Sequence, residues 1–569
     1  MANGIMDGGD ALIEVLNANS VEYIFASPGS EWPPLWEALS RRQAEGEQAP
    51  TYVTCRHESL AVGAAAGYHR ATGKLPAVIM HTTVGSVNAA MAMRAALHDG
   101  TPMVVISGES IGYGESPGLD PGAQWLHELS DLGGPERLVK SVVKWSASVR
   151  TRETLADTLH RACRLAVESP PGPTYVDAPI EIMMEQMETI VPAKPEVEAS
   201  LTADAGTLGE IARLLAGAER PVVLAEFFGR DPSAVPALVE IAEKLALPVL
   251  EVPAVAAMNF PTDNALHQGY DAASFLQDAD VVLLLDSTTP WHPPSKGPAQ
   301  ARIVKFSADP DMRLRPYAGY PAHVTVPGSV GANVKALAPI VRAVKLAAAT
   351  SKRIEARRAT LAAAHDSRRA QLTEKALAEK DNDPISPSWA AHVINQVIPD
   401  HAMVVTELIT HRGFIEKYRE RRTPGATLQA FSGLGQGLTN AVGVKTAHPD
   451  NLDVAIMGDG AFNNNPVPSA YGFAQQHGLP FLTIILNNLM YQSQQNSINR
   501  SYPEGFGKEI GPTFATGITP HPDYAKLVEA FGGWGAAVTK PDQVAPTLEE
   551  AVRRVQAGQS ALVDLLLAE

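Results

Sequence analysis

The chain has 569 residues, of which 45% are hydrophobic and 19% charged, and its net charge is −16. This composition is typical of a folded protein with several domains, and the acidic balance argues against a broad nucleic-acid or anionic-membrane surface. The only cysteines are Cys55 and Cys163, and there is no CxxC motif, which excludes a disulfide framework and a cysteine-ligated metal centre.

The amino terminus, MANGIMDGGD, lacks a basic segment followed by an apolar run, so no signal peptide is expected. The apolar runs at 281–285 and 481–486 have the length of buried strands and are too short to span a bilayer. Low cysteine use suits a reducing compartment. We therefore expect a cytoplasmic protein with no nucleic-acid partner and no membrane partner.

Three stretches alternate short apolar strands with amphipathic helices. They cover residues 1–190, 200–345 and 385–569, with strand candidates such as PAVIMHT, DVVLLLD and FLTIILNN. This alternation predicts an α/β protein with three doubly wound parallel-sheet domains. Residues 350–383 are rich in charge and alanine and contain neither Gly nor Pro, so they are predicted to form a helical linker.

The most informative segment is 453–491. An apolar strand ends in Gly458-Asp459-Gly460, a stretch long enough for a helix follows, and a second strand ends in Asn487-Asn488. In a parallel βαβ unit both strand ends lie at the same sheet edge, where ligands bind. Carboxylate and carboxamide oxygens brought together there suit Mg²⁺ with phosphate oxygens as further ligands. The glycines allow a phosphate to approach the backbone, and a following helix N-terminus favours an anion.

This segment resembles the thiamine diphosphate signature, in which GDG is followed by NN at this spacing. The order of the three units is similar to that of the 2-keto acid decarboxylases and acetohydroxyacid synthases, which have pyrimidine-binding, middle and diphosphate-binding domains. The resemblance implies thiamine diphosphate and Mg²⁺ as cofactors. It implies Asp459, Asn488 and the Met490 carbonyl as metal ligands, with Gly460 and Ala461 as further cofactor contacts. The GDG-to-NN segment is slightly longer here than in the decarboxylases, which leaves its loop shape open.

Two further segments imply cofactor contacts. SGLGQGLTNAVG at 432–443 is glycine-rich but lacks a full GxGxxG, so it supports NAD binding only weakly. In the resembling family this stretch supplies an apolar wedge that bends the cofactor and a carbonyl that accepts from its 4′-amino group. The matching residues are Leu434 and Gly433. TELITH at 406–411 matches the loop that touches the diphosphate, with Thr410 as the implied contact.

RHESLAVGAAAGYHRATGK at 56–74 resembles the helix that bears the activating glutamate of this family, which corresponds to Glu58. A carboxyl group at this place bonds the pyrimidine N1′ and promotes its imino tautomer, which then removes the thiazolium C2 proton. For an isolated glutamate, helix capping or an ion pair would be the ordinary role. The resemblance implies the activating role instead.

Three residues are candidates for substrate chemistry. IFASPGSEWPPL and MHTTVGSVNAAM resemble benzoylformate decarboxylase segments whose serine lies at the substrate carboxylate and whose histidine is in the active site; Ser30 and His81 match them. Imidazole titrates near working pH, so His81 can move protons, although a core histidine is the alternative. For Ser30 the alternative is a simple turn or capping role. TTPWHPP in the middle domain places His292 near the family's second histidine, with a plain loop residue as the alternative.

The resemblance implies an enzyme that decarboxylates a 2-keto acid to an aldehyde with thiamine diphosphate and Mg²⁺. Two alternatives stay open: an acetolactate synthase-like carboligase and a catalytically silent homologue that binds the cofactor. His81 favours decarboxylation, because acetohydroxyacid synthases typically lack a histidine there. Sites in this family lie between two chains, which implies a homodimer, commonly paired into a tetramer. FAD occurs in the middle domain of some relatives; no motif here demands it, and none is expected.

Overall fold

The computed structural model describes residues 5–111, 131–188, 201–252, 257–316, 320–430, 432–511 and 514–568. Within these ranges, three parallel sheets follow one another along the chain, each covered by helices. The predicted α/β class with three doubly wound sheets is confirmed. None of the helices in these ranges combines the length and the apolar composition needed to cross a bilayer.

The first unit has the parallel strand order β3–β2–β4–β5–β7–β6, and a short antiparallel pair, β1 with β8, joins its two ends. Its elements are β1 (Ile5–Met6), α1 (Gly8–Ala18), β2 (Tyr23–Ser27), α2 (Pro33–Glu45), β3 (Thr51–Thr54), α3 (Glu58–Thr72), β4 (Ala77–Met80), α4 (Thr83–Asp99), β5 (Met103–Glu109), α5 (Pro135–Val139), β6 (Trp145–Ser148), α6 (Arg152–Val167), β7 (Pro173–Pro179), α7 (Ile180–Met183) and β8 (Met187–Glu188). The central strands β4 and β5 are buried along their whole length, as expected for a parallel sheet covered on both faces.

The middle unit has the parallel strand order β10–β9–β11–β12–β13. Its elements are α8 (Ala205–Gly217), β9 (Pro221–Ala225), α9 (Val235–Leu245), β10 (Val249–Glu251), α10 (Ala273–Gln277), β11 (Val281–Leu285), β12 (Arg302–Ser307), β13 (Val324–Pro327) and α11 (Val330–Ala343). A long helix, α12 (Ala348–Ala378), follows where the linker is predicted. It buries Ile354 and Leu361 against the middle unit, and Arg357 donates to the Leu245 carbonyl at 2.6 Å.

The third unit has the parallel strand order β15–β14–β16–β17–β19–β18. Its elements are α13 (Pro387–Val397), β14 (Met403–Glu407), α14 (Arg412–Tyr418), β15 (Thr427–Gln429), α15 (Gly437–Ala447), β16 (Asp453–Gly458), α16 (Asp459–Asn463), α17 (Val467–His477), β17 (Leu482–Asn487), α18 (Gln492–Ser501), α19 (Phe506–Ile510), α20 (Ala525–Glu529), β18 (Trp534–Val538), α21 (Val544–Gln556) and β19 (Ala561–Leu566). Strands β16 and β17 are neighbours, so the GDG and NN segments reach the same sheet edge.

Helices α3 and α15 join the first and third units by close backbone approach. A Cβ atom added at Gly63 would lie 2.1 Å from Thr439 Oγ1, and one added at Gly443 would lie 1.9 Å from the Ala64 carbonyl oxygen. Only glycine permits this spacing, because any side chain would overlap the facing helix. The contact fixes the helix that carries Glu58 against the helix that follows the glycine-rich segment.

Candidate active site

His81 lies at the carboxyl edge of the first sheet, directly after β4, and is paired with a buried carboxylate. Its Nδ1 is 2.8 Å and 2.9 Å from the two carboxylate oxygens of Glu31, whose side chain is fully buried. The turn that carries Glu31 follows the neighbouring strand β2, and Trp32 Nε1 in the same turn donates to the Met80 carbonyl at 3.1 Å. No sequence motif points to Glu31, although the adjacent Ser30 is a predicted site residue.

Two glycines make room for the His81–Glu31 pair. A Cβ atom at Gly29 would lie 1.8 Å from His81 Nδ1, and one at Gly108 would lie 1.8 Å from Glu31 Cγ. Neither overlap can be relieved without moving the pair, since the turn and β5 hold the two backbones. Gly29, the glycine of the PGS segment, therefore leaves space for the His81 ring in addition to forming the turn.

The surroundings of His81 favour its protonated form. The bond to Glu31 is the largest influence and raises the pKa of His81, and the charge of Glu58 acts in the same direction. Partial burial opposes this, because burial disfavours a charged imidazole. The side chain is 21% exposed, and Nε2 has no hydrogen-bond partner among the residues described. The free ring nitrogen is thus the atom available to a substrate.

Glu58 is the first residue of α3 and lies beside His81. His57 caps this helix by accepting from the Ser59 amide at 3.1 Å, and Glu58 Oε2 accepts from Asn88 Nδ2 at 2.6 Å. Gly85, in the first turn of α4, separates the two groups: a Cβ there would lie 3.1 Å from His81 Cβ and 3.3 Å from Glu58 Cγ. The structure therefore brings Glu58 and His81 together, with the exposed Ser30 in the same turn as the buried carboxylate.

Asp459 lies where β16 ends, buried at the carboxyl edge of the third sheet. Its Oδ1 accepts from the Gly460 amide at 2.8 Å, whereas Oδ2 is buried without a hydrogen-bond partner among the described residues. Burial raises the pKa of Asp459 to about 6, while the nearby amides of Leu489 and Met490 act in the opposite direction. A buried oxygen left unpaired is costly unless a cation binds it.

The Asn487-Asn488 pair forms a tight turn beside Asp459. The side-chain Nδ2 of Asn487 donates to Asp564 Oδ1 at 2.9 Å, and its Oδ1 accepts from the main-chain N–H of Leu489 at 3.0 Å. Leu489 itself adopts a left-handed φ of 59°. Such strained residues cluster at functional sites. The Asn488 nitrogen donates to Gln492 Oε1 at 3.1 Å, which leaves the Asn488 oxygen for another partner.

These groups fit the ligand set expected for Mg²⁺. Asp459 supplies a carboxylate oxygen, Asn488 a carboxamide oxygen and Met490 a main-chain oxygen, all of which are hard ligands. Among the described residues there is no cluster of three or more His, Cys, Asp or Glu side chains arranged to hold a metal. A metal at this edge would therefore need further oxygens from a bound phosphate or from water.

The backbone after Asp459 passes under an aromatic ring. A Cβ at Gly460 would lie 2.9 Å from the ring of Tyr491, and Ala461 beyond it is partly exposed. The helix that begins here, α16, has only five residues before the chain turns into α17. The expected attraction of an anion to this helix end is correspondingly small, since few peptide dipoles are aligned.

A buried carboxylate, Glu407 at the end of β14, organises the glycine-rich loop. It accepts from the Gly435 amide at 2.8 Å, from the Gly437 amide at 2.7 Å and from Asn465 Nδ2 at 2.9 Å. Burial raises the pKa of Glu407 to about 7, against the lowering effect of these donors. The TELITH segment is predicted from the sequence, but this role of Glu407 is not. The GDG-to-NN segment is longer than in the decarboxylases, but the sequence does not indicate that its Asn465 bonds Glu407.

The loop that Glu407 shapes presents Leu434 to solvent, with 56% of this side chain exposed. Gly433 packs on α4, where an added Cβ would lie 3.0 Å from Ala95 Cβ, and Arg94 donates to the Ser432 carbonyl at 2.6 Å. An exposed leucine on a braced loop fits the predicted apolar wedge. Thr410 is exposed just beyond β14, at the same sheet edge.

His292 lies apart from His81 and Glu58 within one chain, although its cavity is also lined by Ser432 of the glycine-rich segment. It is exposed in the loop after β11 and lines a cavity of about 690 Å³ together with Trp291, Arg94 and Arg315. Neither His81 nor Glu58 lines this cavity. The structure therefore does not bring His292 to the His81 group within the chain.

Comparison with known proteins identifies the family of the chain. Family models of thiamine pyrophosphate enzymes match residues 6–132 (N-terminal TPP binding domain), 208–337 (central domain) and 410–565 (C-terminal TPP binding domain). Together they contain Glu58, His81, Asp459 and Asn488.

Curated relatives include both acetolactate synthases and a decarboxylase. Acetolactate synthase isozyme 2 large subunit of Escherichia coli is 26% identical over 96% of this chain and 93% of its own length. The acetolactate synthase large subunit of Haemophilus influenzae is 23% identical over 96% and 92%. Benzoylformate decarboxylase of Pseudomonas aeruginosa is 26% identical over 84% and 86%.

A solved structure shares the fold over almost the whole length. The thiamine diphosphate-dependent 4-hydroxybenzoylformate decarboxylase of Rhodococcus jostii superposes with a TM-score of 0.78, covers 99% of each chain and is 22% identical. The matched N- and C-terminal domains are TPP-binding domains, which indicates thiamine diphosphate as the cofactor. The chain therefore belongs to the thiamine pyrophosphate enzymes, in the family of 2-keto acid decarboxylases and acetohydroxyacid synthases.

Proposed function

We propose that this enzyme decarboxylates a 2-keto acid to an aldehyde, with Mg²⁺ holding the cofactor diphosphate. The observation that carries the proposal is the His81–Glu31 pair beside Glu58, because the Glu31 carboxylate raises the pKa of His81 and so favours a proton-donating imidazole next to the activating glutamate. Bound thiamine diphosphate supplies the nucleophilic carbon and takes up the electron pair released with CO₂.

Each candidate residue then has a separate task. Glu58 exchanges the activating proton, and Ser30 binds the substrate carboxylate through its exposed hydroxyl group. His81 delivers a proton to the carbon that becomes the aldehyde. Leu434 and the Gly433 carbonyl position the cofactor. Metal and diphosphate contacts fall to Asp459, Gly460, Ala461, Asn488, Met490 and Thr410.

The proposal includes a homodimer with sites between the chains, paired further into a tetramer. Among the described residues, no hydrogen bond or ion pair joins Glu58 or His81 to Asp459 or Asn488. Beside Glu58, helix α4 exposes Val84, Val87 and Met91 on one face. An apolar helix face next to an incomplete site is typical of an interface. His292 is proposed as an additional substrate contact within the dimer.

The test is CO₂ release and aldehyde yield with thiamine diphosphate and Mg²⁺, across aliphatic and aromatic 2-keto acids. Glu58→Gln is the control, since it removes the exchangeable proton while preserving size. Stoichiometric aldehyde that is lost in the control supports the proposal. Cofactor binding without turnover of any substrate would support a silent homologue. No flavin is part of the proposal, so a yellow purified protein would contradict it.

Carboligation is the second candidate. The two acetolactate synthases named in the preceding subsection align over more of this chain than the benzoylformate decarboxylase does, 96% against 84%. In that reaction the carbon left by CO₂ loss bonds a second carbonyl carbon instead of taking a proton. CO₂ release with a hydroxyketone as the main product would favour this candidate over the first.

A further inference from the structure

We propose that Glu31 is a positioning residue that decides the fate of the substrate carbon, by holding His81 as an imidazolium with Nε2–H directed at the substrate. The inference rests on the proposed decarboxylation, and it adds a residue to which neither the sequence motifs nor the comparisons assign a role. If Glu31 acts in this way, its removal shifts the product from aldehyde toward hydroxyketone.

The geometry gives Glu31 one function. Its carboxylate is fully buried, and both of its oxygens lie within 3 Å of the same ring nitrogen, His81 Nδ1. A carboxylate accepts and cannot donate, so Nδ1 must carry a proton in this arrangement. The tautomer is therefore fixed, and the second ring nitrogen gains or loses the exchangeable proton.

The fold holds this pair in place from three sides. Gly29 and Gly108 lie so close to the Glu31 side chain that a Cβ atom on either would overlap it, at 2.3 Å from Oε2 and 1.8 Å from Cγ respectively. Trp32, next in sequence, is anchored to the strand that precedes His81. A buried carboxylate held this firmly is expensive to maintain without a cation beside it. His81 is the ion-pair partner recorded for Glu31, and it carries that charge only when protonated.

The charged groups that face His81 act in one direction. Glu31 comes from the turn before α2 and Glu58 from the first turn of α3, and both negative charges raise the pKa of His81. Partial burial is the opposing influence. The site thus holds an acid on the substrate side and a fixed negative charge behind it.

The chemistry follows from that acid. After CO₂ leaves, the former keto carbon carries an electron pair that forms a C–H bond with the proton from His81 Nε2. The imidazolium becomes neutral imidazole and regains a proton from solvent. Where His81 is already neutral, the same electron pair is left to form a C–C bond with the carbonyl carbon of a second compound. The C=O π electrons then move to the carbonyl oxygen, which takes a proton from solvent. Glu31 therefore favours protonation over carboligation.

The test begins without any substrate. His81 is titrated by NMR in the unliganded protein with labelled histidine, and its signals are assigned through His81→Gln. In the wild type we expect a midpoint above the ordinary histidine value of 6.5. In Glu31→Gln we expect the midpoint to fall by at least one pH unit, which lowers the imidazolium fraction about tenfold above the midpoint. Glu37→Gln, exposed on α2, is the matched control and leaves the midpoint unchanged.

Product analysis completes the test. With a 2-keto acid and an acceptor aldehyde, Glu31→Gln should lower the aldehyde-to-hydroxyketone ratio about tenfold, and wild-type aldehyde formation should decline as pH rises through the His81 midpoint. A wild-type midpoint at or below 6.5 would overturn the proposal without any variant. An unchanged ratio despite a lowered midpoint would also overturn it. If the wild type forms neither product, the proposed function fails, while the titration still reports on Glu31 independently.

Discussion

Replacing Glu407 with glutamine should weaken thiamine diphosphate binding without touching the cofactor itself. The carboxylate accepts from the amides of Gly435 and Gly437 with its two oxygens. A glutamine has one oxygen, so one of these amides would face an NH₂ group and lose its acceptor. A buried donor left unpaired costs about 1–3 kcal/mol.

We expect this free-energy cost to weaken the affinity for thiamine diphosphate, because the affected loop carries Gly433 and Leu434, the proposed cofactor contacts. If the free loop relaxes and must be restored when the cofactor binds, the dissociation constant rises about 5- to 150-fold, at about 1.4 kcal/mol for each factor of ten. Isothermal titration of the unliganded enzyme with thiamine diphosphate at saturating Mg²⁺ measures this directly. Circular dichroism of the variant shows whether the fold is retained.

The matched control is Glu416→Gln on α14. Burial also raises the pKa of this carboxyl group to about 7, but it lies beside Arg412 and not on the loop. We expect the control to bind the cofactor as the wild type does. If Glu407→Gln also binds with wild-type affinity while remaining folded, the loop does not depend on this carboxylate and the reasoning is refuted.

Three further predictions concern stability and protonation. The pKa of Glu407 rises on folding from 4.5 to about 7, so protonation of this group adds about 3 kcal/mol to the free energy of unfolding below pH 4.5, and this amount is lost as pH rises through 7; Glu407→Gln should therefore make Tm fall less steeply with rising pH. Gly29→Ala, whose Cβ would lie 1.8 Å from His81 Nδ1, should shift the His81 midpoint toward its ordinary value by NMR and lower Tm. Glu251→Gln leaves the buried Arg421 without its carboxylate, so denaturant unfolding should show a loss of about 3–5 kcal/mol while cofactor affinity is unchanged.

The fold class can be predicted from the sequence because parallel sheets produce a strong local pattern of hydrophobic residues. Strands such as β4 and β17 are buried on both faces, so they appear as continuous apolar runs between amphipathic helices. The long helix α12 likewise follows from its charge and its lack of Gly and Pro. These signals lie within one element each, and no knowledge of long-range contacts is needed to read them.

The candidate site was predictable where a residue ends a strand. His81, Asp459 and Asn488 all follow apolar strands directly, and the topology of parallel sheets places such residues at ligand-binding edges. Glu31 and Asn465 carry no such signal, and Glu407, although it ends β14, carries none of the role it has in shaping the glycine-rich loop. Each is a polar residue that a sequence suggests to be solvated, and burial comes only from backbone of other strands and loops folding over it.

The positions of glycines are the one sequence feature that correlates with these buried carboxylates. Gly29 and Gly108 flank Glu31, and Gly435 and Gly437 donate to Glu407. A glycine is expensive in ordinary secondary structure and is retained where backbone must come close to another group. Such glycines have no regular spacing in the sequence. Only the three-dimensional contacts therefore show which carboxylate lies next to each glycine.

The two buried carboxylates, Glu31 and Glu407, impose a local geometry and are not the residues that would stabilise these positions best. Apolar residues of similar size would often stabilise such a position, because a buried charge must recover its lost hydration. Glu31 recovers it through one imidazole, and Glu407 through main-chain amides and one carboxamide. Each arrangement fixes a single geometry: a histidine with one exchangeable nitrogen in the first case, and a loop that exposes one leucine in the second. We infer that both carboxylates are retained for the geometry they impose, since well-packed apolar residues would often serve stability at least as well.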